Sequence, residues 1–211
     1  ASFKKQFTQL LERIPLAQGQ ILLISCEALV GRMPGRDKVM GFDAAASLAK
    51  DMRDVVQKHF GADVDLTFLY TTRSQNTWMR SAYSHLLQKS RFTLTEDEFT
   101  KRYARAGDLA KVLADIARTV APCPVVESRL EITSPQAFGP ASELVKLLNL
   151  PSELVATLTP AKQVNKRLDQ FEQDKMRALN MLDADDEELD HKKRRFLRKR
   201  RKRLRRRQEN L

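Results

Sequence analysis

Residues 64–83, "VDLTFLYTTRSQNTWMRSAY", join an apolar strand pattern to an amphipathic helix pattern, and they decide the fold. The branched and aromatic run Val64 to Thr71 is typical of a buried strand. The helix that follows carries pairs of apolar residues at four-residue steps from Trp78 onward, which indicates a face packed on a sheet. Arg73 stands between the two, where a simple connector would be Gly, Asn or Asp. We therefore examine Arg73 as a functional residue.

Two further apolar runs extend this strand and helix alternation along the chain. The run Ile21 to Ile24 is short, branched and entered through Gly19, which predicts a buried strand. Residues 123–132, "CPVVESRLEI", predict a third strand, and helical patterns at 43–59 and 108–120 lie between the strands. This alternation predicts a three-layer α/β fold with a mostly parallel sheet flanked by helices.

Local signals add further elements around this framework. Residues 2–14 show the helical spacing of apolar side chains, and residues 140–180 predict helices broken near Pro151 and Pro160. Thr95 and Glu98 form the sequence signature of a capping box, so a helix is expected to begin there. The glycines between residues 31 and 41 predict a loop.

The net charge of +11 lies almost entirely at the C-terminal end. Residues 191–211 contain 13 Lys and Arg and one Glu, whereas the rest of the chain carries 25 basic and 26 acidic residues. We therefore predict a domain at 1–180 and a separate acidic-then-basic segment at 181–211. Favourable i,i+4 pairs such as Glu188 with Lys192 predict one helix from 183 to 207, and a disordered tail is the alternative.

Three residues are candidates for chemistry. The carboxyl ends of parallel strands meet at one edge of a sheet, so Glu27 and Arg73 are expected on the same rim. Arg73 and Ser81, on the following helix, can bind one anion together, since guanidinium, hydroxyl and helix N-terminus all favour negative charge. Glu27 is a candidate general base. The alternatives are that Arg73 pairs with a surface carboxylate, that Ser81 and His85 face water, and that Glu27 caps a turn.

The segment "LTFLYTTRSQNTWMRSAYSHLLQKSRFTLTEDEF", residues 66–99, resembles the central part of sulfotransferases that use 3′-phosphoadenosine 5′-phosphosulfate. Arg73, Ser81 and Tyr83 fall on that family's pattern, and the resemblance extends loosely over residues 5–180. It implies a fold like that of the P-loop NTPases, and it implies that Arg73 and Ser81 bind the 3′-phosphate of the nucleotide. It also implies a catalytic Glu after the preceding strand, which is Glu27 here.

This sequence departs from the family at the donor-binding loop. It contains neither G-x-x-x-x-G-K-[S/T] nor a comparable Lys-containing glycine loop. We therefore expect a partial sulfotransferase fold that begins after this loop. The acceptor implied is a hydroxyl or amine on a carbohydrate, a lipid or a small molecule, and no metal is expected.

The basic segment supports a second hypothesis from another class. The cations between residues 192 and 207 are expected to contact a polyanion, either a nucleic acid or an acidic surface, and the protein would then be a non-catalytic binding module. A solvated tail without a specific partner is the third possibility. The N-terminal residues lack the apolar core of a signal peptide, and Cys26 and Cys123 are expected as reduced core residues, which together predict a cytoplasmic protein.

Overall fold

The structure is a computed structural model, and it describes residues 2–161 and 167–209. Within these ranges the chain is mostly helical and contains a two-stranded parallel sheet, so the predicted α/β class is confirmed at that level. The described residues form two compact units. The first comprises residues 2–78 and 105–161, and the second comprises residues 79–104 and 167–209.

The first unit contains the sheet and the helices around it. Its α-helices and strands are α1 (Phe3–Leu11), α2 (Ala45–Phe60), β1 (Phe68–Thr72), the first turn of α3 (Gln75–Lys89), α5 (Leu109–Val120), β2 (Val125–Arg129), α6 (Leu130–Thr133), α7 (Ser142–Leu147) and α8 (Ser152–Thr157). α4 (Glu96–Arg102) lies in the second unit.

The parallel pair β1 and β2 confirms two of the predicted strands. Phe68 lies opposite Val125 and Thr72 lies opposite Arg129, so the two strands end at the same edge. A core of side chains from α1, α2 and α5 packs with Phe68, and Leu11, Ala49 and Val120 in it are fully buried. This core fixes the position of β1, and therefore also the position of the residues that follow it.

The predicted strand at Ile21–Ile24 is wrong. This segment has no regular secondary structure and pairs with no other described strand. Leu22 and Ile24 pack against the core, but Ile21 and Leu23 are 68 % and 54 % exposed. Alternating side chains therefore bury one side of the segment only. An apolar run becomes a strand only when a neighbouring strand accepts its backbone hydrogen bonds.

The second unit is helical in its described part. It contains the remainder of α3, α4, α9 (Gln170–Asn180) and α10 (Asp186–Glu209). Its core includes four clustered aromatic side chains, in which Phe99 contacts Tyr83, Phe92 and Tyr103. Phe99 is fully buried, so this cluster is the apolar centre of the unit.

Several local predictions are confirmed in detail. Thr95 and Glu98 make both hydrogen bonds of the capping box at the start of α4. The helices expected at 2–14, 43–59 and 108–120 are present as α1, α2 and α5, with ends shifted by a few residues. The helical pieces predicted between 140 and 180 are present in the described residues on both sides of 162–166, which lie outside them.

The cysteine prediction is half right. Both cysteines are free, and Cys123 packs against the core of the first unit, but Cys26 is exposed beside the irregular segment. Cys26 was expected to be buried because free cysteines are among the residues most often found in protein cores. Among the described helices, none is both long enough and apolar enough to cross a membrane.

Candidate functional site

Arg73 directly follows β1, as the sequence predicts, and only Ser74 separates it from the first turn of α3. The side chain is partly exposed. Because β1 and β2 are parallel, Arg73 lies at the edge where both strands end. The carboxyl edge of a parallel sheet is the usual position for ligands in α/β proteins.

The backbone N–H of Ser74 donates a hydrogen bond to Glu131 Oε1 at 2.9 Å. Glu131 lies in α6, the short helix that follows β2, so the two strand ends are joined by this contact. This hydrogen bond lowers the pKa of the Glu131 carboxyl, and the nearby charge of Arg73 lowers that pKa further. A negative oxygen is therefore already stabilised at the start of α3, beside Arg73.

A second polar cluster lies on the strands themselves. Thr72 is buried, and its hydroxyl donates to Glu127 Oε1 at 2.6 Å. Arg129 Nε donates to the other carboxylate oxygen, Glu127 Oε2, at 3.1 Å. Glu127 is thus held by one hydroxyl and one cation, which fixes the side chains at the ends of both strands. We call Thr72, Arg73, Ser74, Glu127, Arg129 and Glu131 the strand-end cluster.

The sequence indicates Arg73 but none of the other members of the strand-end cluster. Glu127 and Glu131 lie 55 and 57 residues from their partners Thr72 and Ser74, so no local pattern joins them. One signal was available. "ESRLE", residues 127–131, places charged residues at the end of the predicted third strand, as Arg73 is placed at the end of the second.

Ser81 and Tyr83 lie in the part of α3 that belongs to the second unit, whereas Arg73 belongs to the first. Ser81 is partly exposed, and Thr77 and His85 on the same helical ridge are exposed, as expected for a polar face. Tyr83 is buried, and its hydroxyl donates to the carbonyl oxygen of Leu94 at 3.1 Å. Burial raises the pKa of the Tyr83 hydroxyl. Tyr83 is therefore part of the core of its unit.

Glu27 does not lie at the end of a strand, and this corrects its expected position. It is the first residue of a 3₁₀ turn, Glu27–Val30, and its side chain is exposed. Because Ile21–Ile24 is not a strand, Glu27 does not follow a strand end as Arg73 does. The partial burial expected for a general base is also missing.

The helix predicted at 183–207 is confirmed by α10, and the predicted pair of Glu188 with Lys192 is present at 2.6 Å. Among the cations of α10, Lys193, Arg200 and Arg203 contact residues of the second unit that lie outside α10. Lys193 Nζ donates to the carbonyl oxygen of Ser90 at 2.7 Å, and Arg200 Nε donates to Glu172 Oε2 at 2.7 Å. Arg203 donates to the other oxygen of Glu172. We call these three residues the inner cations.

Other cations of α10 are exposed. Those with described side chains that we group as the outer cations are Arg194, Arg195, Arg198, Lys199, Arg201, Lys202, Arg205 and Arg206. They follow the predominantly acidic first turns, Asp186 to Asp190, and together they make the C-terminal half of α10 strongly positive.

The described residues contain no group of three or more His, Cys, Asp or Glu side chains placed to bind a metal ion. Comparison with models of known families, with curated proteins and with solved structures finds no match to this chain. The features of this chain that bear on its function are therefore the strand-end cluster, α10 and the resemblance of residues 66–99 to the sulfotransferases.

Proposed function

We propose that this protein is sulfotransferase-like and binds 3′-phosphoadenosine 5′-phosphosulfate, with a partial P-loop-NTPase-like sulfotransferase fold. It transfers the sulfuryl group to a hydroxyl or an amine of a carbohydrate, a lipid or a small molecule. The observation that carries the proposal is the position of Arg73 between β1 of a parallel pair and the start of α3.

The contact of Glu131 supports an anion at this place. Its carboxylate accepts the Ser74 N–H next to Arg73, which is the kind of interaction that a phosphate oxygen makes at the start of a helix. Glu131 is exposed and makes this contact from the surface. In the proposed complex the 3′-phosphate displaces Glu131 or binds beside it, and Arg73 supplies the charge-assisted hydrogen bonds.

The proposed roles of the three predicted residues follow from the resemblance to the sulfotransferases. The resemblance assigns both Arg73 and Ser81 to the 3′-phosphate. The acceptor oxygen or nitrogen forms a bond to sulfur, the bond between sulfur and the 5′-phosphate oxygen breaks, and the proton of the acceptor passes to a base, a role that the resemblance alone assigns to Glu27. The leaving group is adenosine 3′,5′-bisphosphate. A Glu27→Gln variant that keeps full turnover would remove Glu27 from this role.

The decisive experiment measures binding of adenosine 3′,5′-bisphosphate, because binding of the 3′-phosphate does not require a donor-activating loop. Isothermal titration calorimetry on the full chain should detect binding of adenosine 3′,5′-bisphosphate. It should detect no binding of adenosine 5′-monophosphate, which lacks the 3′-phosphate. The Arg73→Gln variant should weaken binding about tenfold to a hundredfold, since hydrogen bonds to charged groups contribute about 1.5–3 kcal/mol. Ser81→Ala should weaken it less.

Arg105→Gln is the matched control. Arg105 is an exposed arginine of the same unit, and its Nη2 lies 3.8 Å from Asp43 Oδ1. The Arg105→Gln substitution therefore removes the same charge as Arg73→Gln, but at a position outside the strand-end cluster. Binding should be unchanged in this variant. Equal affinity for the two nucleotides, or equal losses in Arg73→Gln and Arg105→Gln, would refute the proposal.

A further inference from the structure

We infer that the outer cations of α10 form a docking surface for the major groove and phosphates of double-stranded DNA. This inference does not depend on the proposed sulfuryl transfer. The basic segment predicts contact with a polyanion, and we now assign that contact to the outer face of α10 and to duplex DNA.

The inner face of α10 is occupied by the second unit itself. Lys193 is only 3 % exposed and donates to the carbonyl oxygen of Ser90, and Leu189 is buried. Arg200 donates to Glu172 and, at 2.7 Å, to the carbonyl oxygen of Arg167. These contacts hold the helix in place despite the repulsion between its many cations. The outer face is thus presented on a preformed helix, which lowers the entropic cost of binding.

The outer cations occupy one side of the helix. At about 100° per residue, the eight side chains from Arg194 to Arg206 fall within an arc of roughly 160°, opposite Leu189, Lys193 and Arg200. They span about 18 Å along the axis at about 1.5 Å per residue. The outer cations thus form a stripe along one side of α10. Arginines on both flanks of this stripe can reach the phosphates on both sides of a groove.

The dimensions of this stripe match duplex DNA. An α-helix with its side chains is about 10–12 Å in diameter, and the major groove of B-DNA is about 12 Å wide. The narrow, deep major groove of A-form RNA does not admit a helix in this way. Six of the eight outer cations are arginines, which bind phosphates through two hydrogen bonds.

Other acidic partners fit less well. Insertion into a membrane surface requires a free apolar face, but Leu189 of α10 is buried and Phe196, Leu197 and Leu204 are partly buried. Binding of single strands depends on aromatic side chains that stack on bases, and Phe196 is the single aromatic residue in the sequence of α10. The acidic residues Asp186 to Asp190 repel phosphates, so the contact is confined to the C-terminal half of the helix.

The test compares two triple variants of the full chain that lose the same charge. Arg195→Gln, Arg198→Gln and Lys202→Gln together remove three outer cations, and glutamine preserves helix propensity. Lys5→Gln, Arg13→Gln and Lys58→Gln remove three exposed cations of the first unit. Fluorescence anisotropy with a labelled mixed-sequence DNA duplex of roughly two helical turns measures affinity between about 50 and 200 mM salt.

The outer triple should lower affinity at least tenfold and reduce the slope of log K against log salt by about 2.7, or about 0.9 for each lost phosphate contact. The control triple should change affinity less than twofold. Equal losses in both variants would show that net charge alone acts, and this would overturn the inference. Tighter binding to duplex RNA, or to vesicles of equal parts phosphatidylcholine and phosphatidylserine, would overturn it as well.

Discussion

Two carboxylates show how the two units of this molecule use charge differently. Glu172 and Glu131 each accept a backbone N–H at the beginning of a helix, from Asp169 at α9 and from Ser74 at α3. Glu172 is 2 % exposed and also binds Arg200 and Arg203, whereas Glu131 is exposed. The same type of contact is therefore structural in one unit and accessible in the other.

The two carboxylates differ in the hydrogen-bond donors that lose their acceptor when the carboxylate is removed. Removal of Glu172 leaves two guanidinium groups without their anion in a partly desolvated position. Displacement of Glu131 leaves the Ser74 N–H at the surface, where water or a ligand replaces the carboxylate at little cost. A buried, fully paired charge thus fixes the fold, whereas an exposed carboxylate can be displaced with little loss of stability.

The largest expected effect is that of Glu172→Ala. It should lower the free energy of unfolding of the second unit by about 3 kcal/mol, because breaking a buried ion pair costs about 3–5 kcal/mol and Arg203 remains 47 % exposed. Hydrogen exchange of the α10 amides measures this, and exchange should accelerate throughout the helix.

Glu188→Gln is the control for this prediction. It breaks the exposed pair of Glu188 with Lys192 in the same helix, and pairs of this kind contribute less than about 1 kcal/mol. If Glu188→Gln accelerated exchange as much as Glu172→Ala, burial of Glu172 would not be the source of the stability.

An intermediate effect should separate the two faces of α10. Arg200→Gln removes an inner cation that is 12 % exposed and should lower stability by about 1.5–3 kcal/mol, the contribution of hydrogen bonds to charged groups. Arg198→Gln removes an outer cation two residues away and should leave stability within about 0.5 kcal/mol. Urea denaturation followed by circular dichroism measures both. Equal destabilisation by the two variants would show that the faces are not distinct.

The sequence predicted best the features that neighbouring residues determine. The capping box at Thr95 depends on a residue three positions away, and α10 depends on pairs four positions apart. The position of Arg73 at a strand end was predicted from the apolar run directly before it, and the structure confirms a strand there at Phe68–Thr72. These features need no knowledge of distant parts of the chain.

The failures are non-local. Ile21–Ile24 has the composition of a strand, but a strand also needs a partner for its backbone, and composition does not supply one. The contacts of Ser74 with Glu131 and of Arg200 with Glu172 join residues 57 and 28 positions apart. A single sequence cannot indicate such pairs, so the strand-end cluster beyond Arg73 and the inner face of α10 could not be predicted.

The smallest effect concerns Glu131 and acid. The pKa of Glu131 in the folded protein is lowered from the ordinary 4.5, chiefly by the Ser74 N–H and to a smaller degree by the charge of Arg73, so the ionised form stabilises the fold. This contribution is fully present above the unfolded pKa and is lost as pH falls through the lowered folded pKa. Glu131→Gln should therefore lower stability at about pH 6 by less than about 1 kcal/mol, and its difference from the wild type should shrink as the pH falls below the ordinary pKa of 4.5.

Urea denaturation of both proteins across this pH range measures the effect, with Glu12→Gln as the control for an exposed carboxylate of the same unit. A difference that stays constant with pH would contradict the assigned role of Glu131.

The same Glu131→Gln variant also tests whether Glu131 occupies the position of a ligand phosphate. If the carboxylate occupies the place of a ligand phosphate beside Arg73, its neutralisation removes a repulsion, and adenosine 3′,5′-bisphosphate should bind Glu131→Gln several times more tightly than the wild type. Weaker binding would show instead that Glu131 orders the start of α3 for the ligand, and the exposed carboxylate would then be as structural as the buried one.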